Sequence, residues 1–169
     1  MHGKPDQAEA QYRAVVAKHP KDAEAQLDLV RYLNGTKGQD AAAAELVSLI
    51  KSDPKAHELK LALAGMRQQQ NKRDEAQALW REVMADAGDD AVGQRARGAL
   101  ATDLLSRGQK DEANKLVAEI LEKDARNEQA LLLRAGVAMD ERRLDDAVGD
   151  LRTILRDSPS SAQAHALLA

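Results

Sequence analysis

The sequence predicts an all-α fold, an α-α solenoid of antiparallel helix pairs, and three observations predict it. An Asp stands two residues before an Ala at five places: Asp6/Ala8, Asp40/Ala42, Asp74/Ala76, Asp111/Ala113 and Asp145/Ala147, with the alanines 34, 34, 37 and 34 residues apart. Apolar residues recur four, seven and eight positions after each alanine, a spacing that gathers side chains on one helical face. Breakers return on the same period, as Pro20, Pro54, Gly88 and Pro159. A repeat of this length marks stacked helical hairpins, each too small to bury its own apolar seam.

Composition agrees with a helical protein packed by aliphatic residues. The 169 residues are 43% hydrophobic but only 2% aromatic, with no Phe, one Trp and two Tyr, so Leu, Val, Ile and Ala must fill the core. Ala favours helix and permits close helix approach. Lys and Arg number 25 against 28 Asp and Glu, a net charge of −3 spread in both signs, which implies no strong attraction to nucleic acid or an anionic membrane surface. The absence of cysteine excludes disulfides, cysteine zinc sites and a thiol nucleophile, but leaves the compartment open. No apolar run is long enough to cross a bilayer, and Met1-His2-Gly3-Lys4 is not followed by a signal-peptide core.

The first segment, Pro5 to Lys18, reads as a helix with Tyr12, Val15 and Val16 on one stripe. His19-Pro20-Lys21-Asp22 interrupts it, and a second helix follows over about Ala23 to Asn34 with Leu27, Leu29, Val30 and Leu33. Gly35 and Gly38 suit a left-handed cap. After Ala42 come Leu46, Leu49 and Ile50, then Pro54, then a helix from about Lys55 to Gln70 with Leu59, Leu61, Leu63 and Ala64. Trp80, Val83 and Met84 follow Ala76, and Gly88 takes the place of the proline. Residues 87–93 hold three more than the period needs, which predicts either a longer loop or about one more turn on the next helix. Leu100, Ala101, Leu104 and Leu105 then form an apolar face, and Val117, Ile120 and Leu121 follow Ala113. Leu131 to Ala135 and Leu151, Ile154 and Leu155 complete the pattern before Pro159, and residues 160–169 open one more helix.

Each column has a physical reason. The Asp lies in the first turn of the hairpin's second helix, where a carboxylate complements unpaired amides and the positive end of the dipole, a gain of about 0.3 to 1 kcal/mol per copy. The alanine is small because a neighbouring helix crosses there.

With its 34-residue period, its Ala-x-x-x-aromatic pairs Ala8/Tyr12 and Ala76/Trp80, and its closing Pro20, Pro54 and Pro159, the chain resembles the tetratricopeptide repeat over essentially its whole length. The resemblance implies a right-handed superhelix. Its repeats would run over residues 22–54, 55–88, 89–125 and 126–159, with a lone second helix in 1–21 and a lone first helix in 160–169. That frame suggests a fragment of a larger array, or chain ends that pair between molecules. Departures stand out as well: Gln26, Lys60, Arg97 and Leu131 occupy a position where the family often has Trp, and Arg134 replaces an expected Leu. The phrasing around Leu131 to Leu155 is also similar to large bacterial repeat proteins of the cell envelope and polysaccharide export, which favours the periplasm or envelope over the cytoplasm.

The resemblance further implies a protein-binding scaffold that holds a peptide segment or helix on a concave groove lined by first helices. Its contact positions fall on Glu24, Leu27 and Arg31; Glu58, Leu61 and Gly65; Arg95, Gly98 and Thr102; and Gln129, Leu132 and Gly136. The Lys, Asn and Arg set that grips a terminal carboxylate in one subgroup is not reproduced. The competing expectation is a structural spacer that self-associates through its terminal helices. Helical repeats that read RNA rely on a basic groove, which the net charge disfavours, so no nucleic-acid partner is expected. No catalytic constellation emerges: His2, His19, His57 and His165 never reach metal-ligand spacing on one helix, acidic pairs such as Asp89-Asp90 and Asp145-Asp146 sit at helix starts, and the glycines form no phosphate cradle. The sequence thus points to no enzyme, no cofactor and no metal, with a protein or peptide as partner.

Overall fold

The computed structural model describes residues 3–168, with side chains from residue 7 onward. The described residues form ten helices: α1 Gly3–Lys18, α2 Ala23–Lys37, α3 Gln39–Ser52, α4 His57–Gln69, α5 Arg73–Ala87, α6 Ala91–Ser106, α7 Lys110–Lys123, α8 Glu128–Asp140, α9 Leu144–Asp157 and α10 Ala162–Leu168. The fold class is an all-α helical repeat. The chain divides into two compact units, 1–93 and 94–169. In the first, α2 packs on α1, α3 and α4, and α4 on α5; in the second, α8 packs on α7, α9 and α10.

Four of the five column alanines are buried in this packing, and Ala8 is half-buried. Ala42, Ala76 and Ala113 are fully buried and Ala147 is 2% exposed. A side chain larger than a methyl there would push two helices apart. Around them the apolar stripes seal: Leu29, Val30, Leu33, Leu46, Leu59 and Leu63 form one cluster in the first unit. In the second, Leu100, Leu104, Val117, Ile120, Leu131, Leu151 and Ile154 are buried. The stripe on α1 differs, because Tyr12 and Val15 stay exposed at 37% and 47% while Val16 is half-buried.

Turn chemistry explains where helices stop. At three repeat-equivalent places the chain enters the left-handed region, at Asn71, Gly108 and Arg142 with φ of 60°, 74° and 60°. The amide one residue later reaches back five residues each time: Lys72 N–H to Arg67 O, Gln109 N–H to Leu104 O, and Arg143 N–H to Ala138 O, at 2.8, 2.9 and 2.8 Å. These bonds close the helix with the six-to-one geometry of a Schellman turn. Of the two glycines expected to cap α2, only Gly38 has positive φ; Gly35 lies inside the helix.

The acidic column brings negative charge to the helix starts without capping them, and Asp40 also accepts from Gln70 Nε2 at 3.2 Å. Asp40, Asp74, Asp111 and Asp145 all sit in the first turns of α3, α5, α7 and α9, yet none of those helices has a side-chain cap hydrogen bond. The side-chain caps are on first helices instead: Asp22 accepts from the Glu24 and Ala25 amides, Asp90 from Val92 and Gly93, and Asn127 from Ala130. Asp6 belongs to the side chains outside the described set.

The three extra residues near Gly88 become helix. α6 has 16 residues where α4 and α8 have 13. Asp90 caps the added turn, and Gly93 makes it possible, because a Cβ on Gly93 would stand 2.1 Å from the Gly88 carbonyl oxygen. No real Cβ tolerates that approach, so the turn requires glycine.

Candidate functional site

The twelve residues assigned to partner contact fall on α2, α4, α6 and α8, three per helix, with the three-then-four spacing that aligns them along one helical face. In the first unit Leu27, Glu58, Leu61 and Gly65 are half-buried, while Glu24 and Arg31 are exposed. Arg31 forms an ion pair with Asp28 one turn away. Glu24 lines a cavity of about 280 Å³ together with Tyr12, Val15, Asp22, Ala25 and Asp28. In the second unit Arg95, Thr102 and Gln129 are exposed, Leu132 and Gly136 half-buried, and Gly98 buried.

Two of these residues meet directly. The Gln129 carboxamide of α8 lies across Gly98 of α6, with its oxygen 2.9 Å from where a Gly98 Cβ would sit. Thr102 Oγ1 donates to the Gly98 carbonyl at 2.8 Å. Gly98 therefore serves as the floor on which Gln129 rests. Gly65 and Gly136 have open space where a Cβ would project, so their faces are shallow.

Behind these faces lies a feature the residue pattern showed only as a departure. At the position where Trp is frequent, Gln26 is 4% exposed, Lys60 1% and Leu131 2%. Gln26 Nε2 donates to the Pro20 carbonyl at 2.8 Å. The Lys60 ammonium stands 2.6 Å from Glu82 Oε1 and 3.5 Å from Asp86 Oδ2, and Arg97 Nε donates to Glu119 Oε2 at 3.1 Å. Both ion pairs join a first helix to a residue 22 positions later on the second, so they are the same pair in successive repeats. Lys60 is buried along its whole side chain, and its ammonium meets two half-exposed carboxylates. At position 131 the cation is gone and residue 153, in the anion's place, is Thr.

A second polar departure sits in the hairpin of α8 and α9. Arg134 Nε and Nη2 donate to Asp150 Oδ2 and Oδ1 at 2.8 and 2.7 Å, a two-pronged charge-assisted pair. That carboxylate pushes the guanidinium's pKa upward against the opposing effect of burial. Arg143 likewise donates to Glu141 and Asp146.

The histidines do not converge. His57 Nε2 lies 3.8 Å from Asp86, His165 Nε2 is 2.9 Å from the Pro159 carbonyl, His19 is exposed, and His2 lies outside the described residues. Among the described residues no group of three or more His, Cys, Asp or Glu could hold a metal ion, and no helix is long and apolar enough to cross a membrane.

Comparison with known proteins follows the same lines. A family model described as "Tetratricopeptide repeat" matches residues 2–57 and 99–162. No curated protein matches the sequence. Among solved structures, the fold is similar to MamA, at a TM-score of 0.69 and 18% identity over 95% of this chain and 92% of that one. It is also similar to PilF of Pseudomonas aeruginosa, at 0.77 and 18% over 98% and 74%, and to YrrB, described as a TPR protein with an unusual peptide-binding site, at 0.65 and 16% over 90% and 77%. At such identities the likeness speaks to the fold.

Proposed function

The chain belongs to the tetratricopeptide repeat family, a fold that commonly mediates protein–protein interaction and is generally non-enzymatic, and from that premise we propose that it is a scaffold holding a peptide segment or helix on its first-helix faces. The supporting observation is the state of Leu27, Leu61 and Leu132. Each stands on a first helix at the same register and remains half-buried, although the neighbouring apolar residues of those helices, Leu29, Leu63 and Leu131, are sealed. Apolar side chains left partly wet beside small residues such as Gly65 and Gly136 give a partner surface to cover at little steric cost. The charged members Glu24, Arg31, Glu58 and Arg95 would orient that partner more than anchor it. YrrB's peptide-binding site favours the same reading by analogy of fold.

The experiment is affinity capture of partners by the intact chain from the cells that make it, repeated with Leu61→Glu and with Leu132→Glu. The expected result is loss of a partner at least tenfold in recovery, with unchanged helical circular dichroism and Tm. Equal recovery by folded variants removes these faces from the site.

A further inference from the structure

The repeats supply an internal reference for the α8–α9 hairpin. Leu63 belongs to the buried apolar cluster and the partly buried Leu79 packs against it, and at the equivalent positions of the next repeat Leu100 and Leu116 are 1% and 7% exposed, whereas the α2–α3 hairpin has Leu29 and Glu45 there. In the α8–α9 hairpin the same two positions are Arg134 and Asp150. An apolar pair would hold this hairpin at least as well as an ion pair, because desolvating two charges offsets most of their attraction. The exchange opens the seam. A cavity of about 470 Å³ lies there, lined by Arg134, Arg143, Asp145, Asp146, Gly149 and Asp150. Gly149 has nothing within 4 Å of where a Cβ would be, so its side of the cavity is clear.

Charge selects the occupant. Two guanidiniums face three carboxylates on the cavity wall, and each guanidinium is already engaged, Arg134 by Asp150 and Arg143 by Glu141 and Asp146. The surplus is negative. We propose that this cavity binds a cationic side chain, arginine or lysine, presented by a partner segment. The bound cation completes a network in which Asp145 and Asp146 face it across Gly149 and Arg134 keeps Asp150 in place. This second contact stands independently of the first-helix faces.

The test is an NMR titration of the intact chain with acetyl-Gly-Arg-Gly-amide, following the Gly149 amide and the Arg134 Nε–H. Saturable shifts at both groups are expected with the arginine peptide and none with its neutral citrulline counterpart or with acetyl-Gly-Glu-Gly-amide. Asp145→Asn should weaken binding roughly threefold or more, and raising salt should weaken it further. The pair Arg134→Leu/Asp150→Leu, which restores the residues of the two preceding repeats, should abolish the response while keeping Tm at or above the parent's. Leu132→Glu should leave the titration unchanged, which separates this site from the first-helix reading. No saturable shift, an equal response to citrulline or glutamate, or unchanged affinity in Asp145→Asn overturns the proposal, and the last holds even if the double variant does not fold.

Discussion

The α4–α5 and α8–α9 hairpins share a frame and place their buried charge differently. In α4 the cation is Lys60, 1% exposed, with Leu63 sealed three residues later. In α8 the order is reversed: Leu131 is sealed at 2% and the cation is Arg134, three residues along, with half its side chain exposed. First-helix cations are thus answered by carboxylates of the second helix in both hairpins, Lys60 and Arg67 in α4 and Arg134 in α8. The position decides the consequence. Lys60 stands at the position where Trp is frequent and is sealed against its carboxylates, whereas the half-exposed Arg134 lines a cavity.

The largest effect expected from this contrast comes from removing the anions of Lys60. Glu82→Gln with Asp86→Asn should cost about 3–5 kcal/mol, read by urea unfolding, because it strands a buried ammonium. Lys60→Met, which keeps the stem and removes the charge, should be neutral or stabilising. If both variants unfold equally easily, the stem and not the pairing governs α4. In the α8–α9 hairpin, by comparison, Asp150→Asn should cost less, about 1–2 kcal/mol, since Arg134 can turn toward water.

Next in size is the added turn of α6. Gly93→Ala should cost about 1–3 kcal/mol by forcing the Gly88 carbonyl aside. Gly65→Ala, in a helix with open space around it, should stabilise by about 0.5–1 kcal/mol. Smaller still is the shared turn. Arg142→Gly should raise stability by about 1 kcal/mol and Gly108→Ala should lower it by a similar amount, because both positions hold positive φ.

The smallest effect concerns pH. Hydrogen bonds from Lys37 and then Arg13 hold the Glu9 carboxyl below its ordinary range. A depressed folded pKa contributes stability that is complete above the unfolded value and fades as pH falls through the folded one. Acid titration should therefore loosen α1 from α2 before the rest of that unit, and Glu9→Gln should remove the difference in hydrogen exchange.

Much of this fold was legible because the repeat registers every copy against the others. The burial of Ala42, Ala76 and Ala113 and the first-turn placement of the acidic column follow from periodicity. Three features did not. Periodicity treats Lys60 as a polar interruption, because only the hairpin brings Glu82 and Asp86 to its ammonium from 22 and 26 residues away. The choice between loop and helix for the extra residues near Gly88 depended on the contact between Gly88 and Gly93, which spacing does not encode. That Gln129 from another helix lies against Gly98 is likewise a contact the spacing does not encode. For the candidate site, the register of Leu27, Leu61 and Leu132 could be read from the repeat, whereas the ion pairs beside them required the packed structure.

Site-specific photo-crosslinking in the cells that make the protein tests the central claim most directly. A photoreactive residue would replace Leu61 or Leu132 on the first-helix faces, or Val47, an exposed apolar residue of the second helix α3. The account predicts the same crosslinked partner from Leu61 and Leu132 and none from Val47. A partner captured at Val47 with nothing at Leu61 or Leu132 would contradict it.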